Sequence, residues 1–535
     1  SYQGVISMIY KIFIFLTFFM LILHSFTMAG QKKLLALYKS NENATAADNP
    51  VLYHLEGELK ALGYEVDYKD ALSVLPSSDE MKQYEGVITF YFTAIHPHAE
   101  EYITWLSKQI KEGRKVVIFG NFGAHSYDGI KWLNNEDLND FFLLLGLEFK
   151  GSDKINRDDV EVLYRDPSVV NSVPSPFPEY FTLFDSINKN NKSYLTIALK
   201  GQTERESCAV IRTPYGGMAQ IGYIYSIDES SGNIIWHLNR KDFLYNVLIY
   251  ENPDKLTHKK MLALYKGSEK QSDRENFIKK LASVELFKLG YKLDYYDIDN
   301  GIPDSSVMEE YKGIISWYDT SEMYNAAKYC EWLGDQVSAG KKVVILGDFG
   351  AYAEKIKKDS RYIVRYLSEI EINNFFYPFG LVMKQQWTDR SDMIECDYIS
   401  EEFLNKEMLS KEEDFKNYFL FKSHMPENKS FLTLSRKDRK GSKSDVVVVT
   451  PYGGMALQGY IYRQRQDNWE INFILKLDKF FEEALREYEF IPPEIYNITV
   501  DKEKELERAI MNKRKEKNPL PCPLPLPRKV LALYK

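Results

Sequence analysis

The sequence predicts an α/β protein made of two tandem, doubly wound parallel-sheet domains, each with a C-terminal β-hairpin and a closing helix. Residues 33–124 align without a gap with residues 260–351, which identifies two copies of one domain. Both copies alternate short apolar runs with amphipathic helical patterns. The motif TPYGGMA recurs near the end of each copy, at 213–219 and 450–456. Together these observations indicate two separate cores of the same fold.

The first half of each copy contains the alternating strands and helices. In the first copy, Leu34–Tyr38 is a short apolar run typical of a strand buried on both faces. Leucines at three- and four-residue spacing predict a helix over 50–62, and Gly63 ends it. The elements predicted next are strand Tyr64–Tyr68, strand Gly86–Phe92, helix Ala99–Lys111, strand Lys115–Phe119, a hairpin of 208–213 with 218–225, and a helix near 241–249.

The domain boundaries follow from the repeat. We expect the first copy at 31–252 and the second at 258–490. Residues 491–528 are expected to form a charged helix and a proline-rich linker, because the segment PLPCPLPLP favours an extended spacer. Residues 529–535 (KVLALYK) repeat the opening of both copies, so we expect them to begin a truncated third copy of a longer protein.

The N-terminus has the pattern of a secretory signal peptide over residues 1–29. Lys11 precedes an apolar run from Ile12 to Leu23, and Thr27 and Ala29 suit a cleavage site for small residues. The run is shorter than the ~20 residues that span a bilayer. The sequence therefore predicts an exported protein, periplasmic or extracellular in a bacterial envelope, that contacts the membrane only through this signal.

Charge and cysteine content narrow the classes of function. A net charge of −8 argues against a nucleic-acid partner, because phosphate binding needs clustered lysine and arginine. The four cysteines show no metal-ligand spacing and are too few for a disulfide framework. No phosphate-binding or metalloprotease motif appears, so we expect neither a metal nor a cofactor.

The candidate ligand site is the crevice outside the carboxyl ends of the parallel strands, where open α/β sheets bind ligands. Lysine and tyrosine there suit an anion or sugar hydroxyls. The alternative is that the copies share these residues because they share folding needs. The candidate residues are Tyr38, Lys39, Tyr91, Thr93, Asn121 and Tyr215 in the first copy, and Tyr265, Lys266, Tyr318, Thr320, Asp348 and Tyr452 in the second.

The turn after the fourth strand resembles that of the class I glutamine amidotransferase-like fold, a flavodoxin-like α/β superfamily. Active members of that family carry a cysteine nucleophile in a glycine-flanked elbow. The matching segments here are Gly120-Asn121-Phe122-Gly123 and Gly347-Asp348-Phe349-Gly350. The glycines are present and the cysteine is absent from both. Because that chemistry needs a thiolate, the resemblance implies noncatalytic domains.

A second resemblance concerns Pro214–Ala219 and Pro451–Ala456. They are similar to a late tyrosine-glycine-x-glycine hairpin in noncatalytic amidotransferase-like domains of carbohydrate-associated bacterial proteins, with the second glycine shifted. The layout of signal and repeats also resembles the exported modification proteins of the Pel exopolysaccharide system, the PelA family. This resemblance implies a role in polysaccharide processing.

Three hypotheses of function remain open at this point. The first is an exported, noncatalytic scaffold that binds a polysaccharide or an envelope protein partner. The second is a carbohydrate-active hydrolase that uses Asp319 and Asp348 of the second copy as paired carboxylates, where the first copy has Phe92 and Asn121. The third is a spacer that holds a further domain away from the membrane.

Two histidines fail to recur between the copies. His125 follows the fourth strand, where an acid or base is useful, but its counterpart is Tyr352. His54 is matched by Leu281, which favours a role in packing.

Overall fold

A computed structural model describes residues 32–487, apart from 229, 250–257, 359–360, 389, 410, 412–413, 416–417 and 465–470. The chain divides into two compact units between residues 256 and 257, and each contains one copy of the repeat. The segments predicted as signal peptide (1–29), charged helix and linker (491–528) and third copy (529–535) lie outside the described residues. Within the described ranges, no helix is long and apolar enough to cross a membrane.

The described residues of the first unit form one large sheet and two small ones. Its strands are β1 (Lys32–Tyr38), β2 (Tyr64–Asp70), β3 (Gly86–Tyr91), β4 (Lys115–Gly120), β5 (Leu147–Lys154), β6 (Val160–Arg165), β7 (Tyr180–Ser186), β8 (Lys192–Leu199), β9 (Gln202–Thr213), β10 (Gly216–Gln220), β11 (Tyr225–Ile227) and β12 (Ile234–Trp236). The large sheet has eight strands in the order β2-β1-β3-β4-β10-β9-β8-β6. Strand β5 pairs with β7, and β11 pairs with β12.

The large sheet is mixed, which corrects the prediction of a parallel sheet. Strands β2, β1, β3, β4 and β10 run parallel, whereas β9, β8 and β6 continue the sheet in antiparallel pairing. The physical reason is the TPYGGMA segment, which reverses the chain inside the sheet. Thr213 pairs with Gly216 across the tight turn, so one arm of the hairpin joins the parallel half and the other begins the antiparallel half.

The paired glycines of this hairpin lie in β10 and not in the turn itself. Gly216 has φ +140°, and a Cβ there would lie 1.9 Å from the carbonyl oxygen of Val116 on β4. A Cβ at Gly217 would lie 2.6 Å from Val247 of the C-terminal helix. Glycine is therefore required by close approach of the neighbouring strand and helix.

Helices cover both faces of the sheet in the first unit. They are α1 (Pro50–His54), α2 (Glu56–Ala61), α3 (Ser78–Met81), α4 (Ala99–Lys111), α5 (Asn135–Leu145) and α6 (Arg240–Ile249). Alternate residues of β1 enter two cores, because strand side chains alternate between faces. Leu34 belongs to the core that includes Leu59 and Val247, and Leu35 to the core that includes Leu106. The predicted helix over 50–62 is interrupted at Leu55, whose φ of −127° leaves the helical region.

The second unit repeats this plan with its own core. Its large sheet has the order β14-β13-β15-β17-β25-β24-β23-β21. The strands are β13 (Lys259–Tyr265), β14 (Tyr291–Asp297), β15 (Gly313–Tyr318), β16 (Glu322–Met323), β17 (Lys342–Gly347), β18 (Ala353–Lys358), β19 (Arg361–Tyr366), β20 (Leu381–Thr388), β21 (Ile394–Ile399), β22 (Tyr418–Ser423), β23 (Lys429–Arg436), β24 (Ser444–Thr450), β25 (Gly453–Leu457), β26 (Tyr462–Gln464) and β27 (Ile471–Phe473). The helices are α7 (Phe277–Leu281), α8 (Ser283–Lys288), α9 (Ala326–Ser338), α10 (Glu369–Phe376) and α11 (Leu477–Ala484).

Candidate functional site

The carboxyl ends of the parallel strands meet at one edge of each large sheet, which we call the carboxyl edge. In the first unit, Tyr38 at the end of β1 pairs with Asp70, and Tyr91 at the end of β3 pairs with Gly120. The residues that follow these strand ends therefore lie near one another, as they do in the second unit. This is where the sequence predicted a ligand crevice.

Lys39 lies at the bottom of the carboxyl edge and is 1% exposed. Its Nζ donates to Oγ1 of Thr93 at 2.8 Å and to the carbonyl oxygens of Thr93 (3.1 Å) and Ile95 (2.9 Å). It also forms an ion pair with Glu42 at 3.0 Å. The Glu42 carboxylate in turn accepts hydrogen bonds from the backbone N–H groups of Phe92 and Thr93. This network ties the loop after β1 to the loop after β3.

The second unit builds the same network around Lys266. Its Nζ donates to the carbonyl oxygens of Thr320 (2.9 Å), Glu322 (2.8 Å) and Gly350 (3.0 Å). Glu269 lies 3.9 Å away and accepts from the backbone N–H of Thr320 at 2.9 Å. Burial lowers the pKa of Lys266 to about 8. In both units the ammonium is directed into the protein, so these lysines and threonines hold the loops together.

The two glutamates of this network were missed in the sequence. Glu42 and Glu269 stand three residues after the lysines, within short helical turns over Ser40–Glu42 and Gly267–Glu269. The signal that identifies them is the recurrence of Lys-x-x-Glu at 39–42 and 266–269.

The tyrosines that end β3 and β15 are core residues. Tyr91 and Tyr318 are both 0% exposed, and their hydroxyls lie 3.2 Å and 3.1 Å from those of Tyr102 and Tyr329. A Cβ at Gly123 would lie 2.3 Å from the Tyr91 ring, so the glycine of the fourth-strand turn makes room for it. These rings shape the floor of the carboxyl edge.

The remaining predicted tyrosines are divided between the two ends of the sheet. Tyr38 is half-buried and Tyr265 is buried at the carboxyl edge. Tyr215 and Tyr452 lie at the opposite edge, which corrects their expected position in the crevice. The reason is strand direction: each directly precedes a parallel strand, so it lies at that strand's amino end. The backbone N–H of Val116, at the start of β4, donates to the carbonyl oxygen of Tyr215.

The fourth-strand turn is closed by a polar side chain in both units. Oδ1 of Asn121 accepts from the backbone N–H of Gly123 at 3.1 Å, and Oδ1 of Asp348 accepts from that of Gly350 at 2.8 Å. An amide and a carboxylate thus perform the same local role. The two turns differ in charge, because the Asn121 amide is neutral whereas the Asp348 carboxyl can ionise.

In the first unit, a cluster of aromatic rings lies on one side of the carboxyl edge. We call the set His54, Phe90, Phe92, Tyr225 and Trp236 the aromatic rim. The His54 and Trp236 rings are 5.3 Å apart, as are those of Tyr225 and Trp236, and Phe90 lies 5.5 Å from Phe92. Phe90 is buried at the base, whereas Phe92 is 42% exposed. His54, expected from the sequence to pack in the core, is half-buried in this rim.

Arg240 fixes one side of the aromatic rim. Its guanidinium lies 3.8 Å from the centre of the Trp236 ring, donates to the carbonyl oxygen of His54 and forms an ion pair with Glu58 at 3.0 Å. A planar guanidinium held in this way keeps the indole in one orientation. Glu58 recurs in the second copy as Glu285. In the first unit, Glu58 helps to hold Trp236 in place because it pairs with Arg240.

The second unit replaces this rim with polar groups. Asp319 stands where the first unit has Phe92, and Gln458 where it has Ile221. Nε2 of Gln458 donates to Oδ1 of Asp319 at 3.3 Å. We call the set Asp319, Asp348, Gln458 and Tyr462 the polar crevice.

Both carboxyl groups of the polar crevice have raised pKa values. Asp319 is an exposed residue, but partial desolvation of its carboxyl and then the nearby Glu269 raise its pKa to about 6. Burial is also the main cause that raises the pKa of Asp348 to about 6, against the opposing effects of the Gly350 N–H and Lys266. Carboxyls with a pKa near neutrality are suited to acid–base chemistry and to binding a cation.

Behind the fourth-strand turn, both units bury a polar atom without a partner. Among the described residues, neither Oη of Tyr352 nor Nε2 of His125 has a hydrogen bond. Tyr352 is 5% exposed and stacks on Phe419 at 4.6 Å. Burial and the Asp348 carboxylate raise its pKa well above the usual value. Burial lowers the pKa of His125 to about 4, so its ring is neutral at pH 7.

Several solved structures are similar to this chain. A cold-adapted β-galactosidase from Rahnella sp. R3 is 14% identical, with a TM-score of 0.24, over 40% of this chain and 30% of that one. A putative ThuA-like protein from Parabacteroides merdae is 15% identical, with a TM-score of 0.24, over 43% of this chain and 92% of that one. One from Bacteroides uniformis is 14% identical, with a TM-score of 0.23, over 42% and 89%. The chain spans about a third of the β-galactosidase it matches.

A search of curated proteins finds no match. One family model matches the chain twice, over residues 19–255 and 247–513, so that each match covers one copy of the repeat. The chain therefore belongs to the bacterial family described as "Uncharacterised protein conserved in bacteria (DUF2194)".

Proposed function

We propose that this chain is an exported, noncatalytic glycan-binding protein of the bacterial envelope. The observation that carries the proposal is the aromatic rim of the first unit. The chain's predicted signal sequence and its tandem amidotransferase-like repeats resemble the layout of the PelA family, which supports this role.

The chemistry of the aromatic rim suits a sugar. Aromatic rings with exposed faces stack against the C–H face of a pyranose and exclude water from it. Phe92 and the partly exposed rings of Tyr225 and Trp236 supply such faces at the edge where α/β sheets bind ligands. The stacked Arg240 and its partner Glu58 hold the indole in place before a ligand arrives, which lowers the entropic cost of binding.

The same edge of the first unit has no nucleophile in the position that amidotransferases use. Asn121 and Phe122 occupy the turn, and the Oδ1 of Asn121 is engaged by the Gly123 N–H. The Lys39 ammonium donates to protein oxygens. These features support a first unit that binds a ligand but does not catalyse a reaction.

Titration calorimetry of the full chain with neutral oligosaccharides, such as cellohexaose and N-acetylchitohexaose, and with extracted envelope polysaccharide tests the proposal. We expect at least one of these glycans to bind. We expect Phe92→Asp, which installs the residue found in the second unit, to weaken this binding at least tenfold. Phe473→Ala is the matched control, because Phe473 is the second-unit counterpart of Trp236 and lies outside the rim. Lack of binding to every glycan, or equal binding by Phe92→Asp, contradicts the proposal.

A second candidate function is a hydrolase that acts on sugars through Asp319 and Asp348. It is favoured by the pKa values of about 6 for both carboxyls, since a general acid must retain its proton near neutral pH. Reducing-sugar release from the same glycans is the assay. Activity that survives both Asp319→Asn and Asp348→Asn excludes this pair as the catalytic residues.

A further inference from the structure

A β-hairpin follows the fourth-strand turn of the second unit and has no equivalent in the first. Strands β18 and β19 form it, and together with β16 they make a three-stranded sheet in which β19 is an edge strand. In the first unit the matched segment, residues 126–132, is a tight turn, in which the N–H of Tyr127 donates to the carbonyl oxygen of Lys131 at 3.0 Å. The fold does not require the hairpin, because one of its two copies closes with this short turn.

The outer edge of β19 carries backbone groups that no described strand takes up. The N–H of Leu367, the residue after β19, donates across the hairpin to the carbonyl oxygen of Tyr352. Backbone groups of successive strand residues point to opposite edges, so those of Tyr362, Val364 and Tyr366 point away from β18. Within the described part of the chain, no strand pairs with β19 on that side.

The β19 edge also lacks a feature that blunts other edges of this protein. An unpaired strand edge is a template for a further strand, and a β-bulge is one way in which proteins block it. The outer antiparallel strands of the large sheets, β6 and β21, each have a register shift, at 162–164 and at 396–398. The pairing of β18 with β19 is regular from Ala353–Tyr366 to Lys358–Arg361. An extended segment can therefore add to β19 without meeting a bulge.

The charge of the hairpin indicates which kind of segment adds to it. Residues 353–366 contain five Lys or Arg and two Asp or Glu, a net charge of +3 in a chain whose net charge is −8. Lys355 and Arg365 form ion pairs with glutamates of the same unit. Lys357 and Arg361 are exposed and have no ion pair with a described residue. Acidic side chains on an added strand lie directly opposite Arg361 and one strand away from Lys357.

We infer that β19 binds an extended acidic segment of a partner protein as an additional strand of this sheet. Main-chain hydrogen bonds to Tyr362, Val364 and Tyr366 hold the segment, and its carboxylates pair with Arg361 and Lys357. The surface lies in the second unit, whereas the aromatic rim lies in the first, so the inference does not depend on glycan binding.

Other occupants fit this hairpin less well. A second copy of the chain brings another hairpin of the same positive charge, which repels the first. Insertion into a membrane surface needs an apolar face. Cross-strand pairing instead puts Ile356 and Ile363 on one face of the hairpin and Tyr362 on the other, beside Lys357. An anionic polysaccharide is attracted by the charge but does not use the backbone groups of the strand edge.

Fluorescence anisotropy of labelled peptides titrated with the full chain tests the inference. The probes are an octapeptide of alternating glutamate and valine, the same peptide with lysine in place of glutamate, and the acidic peptide with every amide N-methylated. N-methylation keeps the charge but removes the backbone donors that strand addition needs. We expect the unmodified acidic peptide to bind at least about tenfold more tightly than the other two. Absence of binding, or equal binding of the N-methylated peptide, overturns the inference.

Three variants locate the binding on β19. Val364→Pro removes an outward N–H without removing a bond to β18, and Arg361→Glu reverses a charge, so each is expected to weaken binding by about tenfold. Val364→Thr, which keeps the N–H, is the matched control and is expected to bind as the wild type does. Replacement of residues 353–366 by the first-unit turn, residues 126–132, is expected to abolish binding and to preserve the far-ultraviolet circular dichroism spectrum. Binding that survives this replacement, or that Val364→Pro leaves unchanged, contradicts strand addition at β19.

The other occupants are tested on the same protein. Polygalacturonate and vesicles of phosphatidylglycerol are titrated as competitors of the acidic peptide, and analytical ultracentrifugation measures self-association. We expect weak competition that added salt removes, and a monomer whose mass does not depend on concentration. Binding of either competitor more tightly than the acidic peptide, or a dimer that Val364→Pro dissociates, replaces the peptide with that occupant and overturns the inference.

Discussion

At the scale of single residues, the Lys39–Glu42 pair decides how the carboxyl edge of the first unit is built. The Lys39 side chain is 0% exposed and that of Glu42 is 5% exposed, so each charge depends on the other and on the surrounding hydrogen bonds. Buried pairs of this kind are costly to break because the remaining charge stays in a poorly solvated site. The same argument applies to Lys266 and Glu269.

Lys39→Met is expected to destabilise the first unit by about 3–5 kcal/mol, because it leaves the Glu42 carboxylate buried without its cation. The double variant Lys39→Met/Glu42→Gln is expected to recover part of that loss, since the neutral amide needs no counter-charge. Urea unfolding followed by circular dichroism measures both. Equal stability of Lys39→Met and the wild type is the contrary result.

Asp348→Asn is expected to stabilise the ligand-free protein by about 2 kcal/mol at pH 7.5. The pKa of Asp348 is raised from 3.8 to about 6 in the fold, so the stability that its carboxyl contributes is present below pH 3.8 and lost as the pH rises through 6. Asparagine keeps the turn hydrogen bond, as Asn121 does, and does not ionise.

Thermal unfolding at pH 7.5 and at pH 4 provides the measurement for Asp348→Asn. The stabilisation is expected to vanish at pH 4, where the wild-type carboxyl is largely protonated in the fold. Asn121→Asp in the first unit is the matched control and is expected to lower stability at pH 7.5. A gain that is the same at both pH values means that ionisation is not its cause.

At the scale of elements, the TPYGGMA hairpin joins the parallel and antiparallel halves of each sheet. In the second unit a Cβ at Gly453 would lie 1.8 Å from the Val343 carbonyl oxygen, which repeats the close approach at Gly216. The close approach of the neighbouring strand gives a structural reason for the glycines of this motif to recur in both units.

Gly216→Ala is expected to destabilise the first unit by more than about 3 kcal/mol, because the methyl group overlaps the backbone of β4 at a positive φ. Gly57→Ala is the control: it lies in α2, where an added Cβ would meet nothing within 4 Å, so it is expected to be neutral or to stabilise by up to about 1 kcal/mol. Chemical denaturation of the two variants compares them. Similar stabilities would contradict the proposed need for glycine in β10.

At the scale of the whole molecule, the two units have separate cores. The core of the second unit draws only on residues from Met261 onward, and those of the first end at Leu248. Each core is large enough for independent folding.

Residues 31–256 and 257–490, expressed separately, are therefore each expected to fold and to unfold cooperatively. Far-ultraviolet circular dichroism and scanning calorimetry are the measurements, with the full chain as reference. A broad, non-cooperative transition for either fragment means that it needs the other.

Much of the element order was predictable, because periodicity and glycine placement are local. The helix Ala99–Lys111 is confirmed with its predicted bounds, and the strand predicted over Lys115–Phe119 extends by one residue. In the antiparallel half of the sheet, the hairpin of β9 with β10 was predicted, whereas the pairing of β6 with β8 was not, because another strand lies between them in the chain. The contacts of the candidate site were harder to predict from the sequence. Lys39 and Lys266 recur in both copies, but the direction of their ammonium groups depends on loops more than fifty residues away along the chain.

The sequence by itself determined that the chain repeats one α/β domain, where its parallel strands and helices lie, and that neither copy has a cysteine in the turn after the fourth strand. Only the tertiary structure decided which side chains lie at the carboxyl edge. Recurring residues such as Lys39, Tyr91 and Tyr215 turned out to be held in the protein or at the other end of the sheet. The aromatic rim and the polar crevice consist largely of residues that differ between the copies, and they come together because distant segments converge on one edge of the sheet.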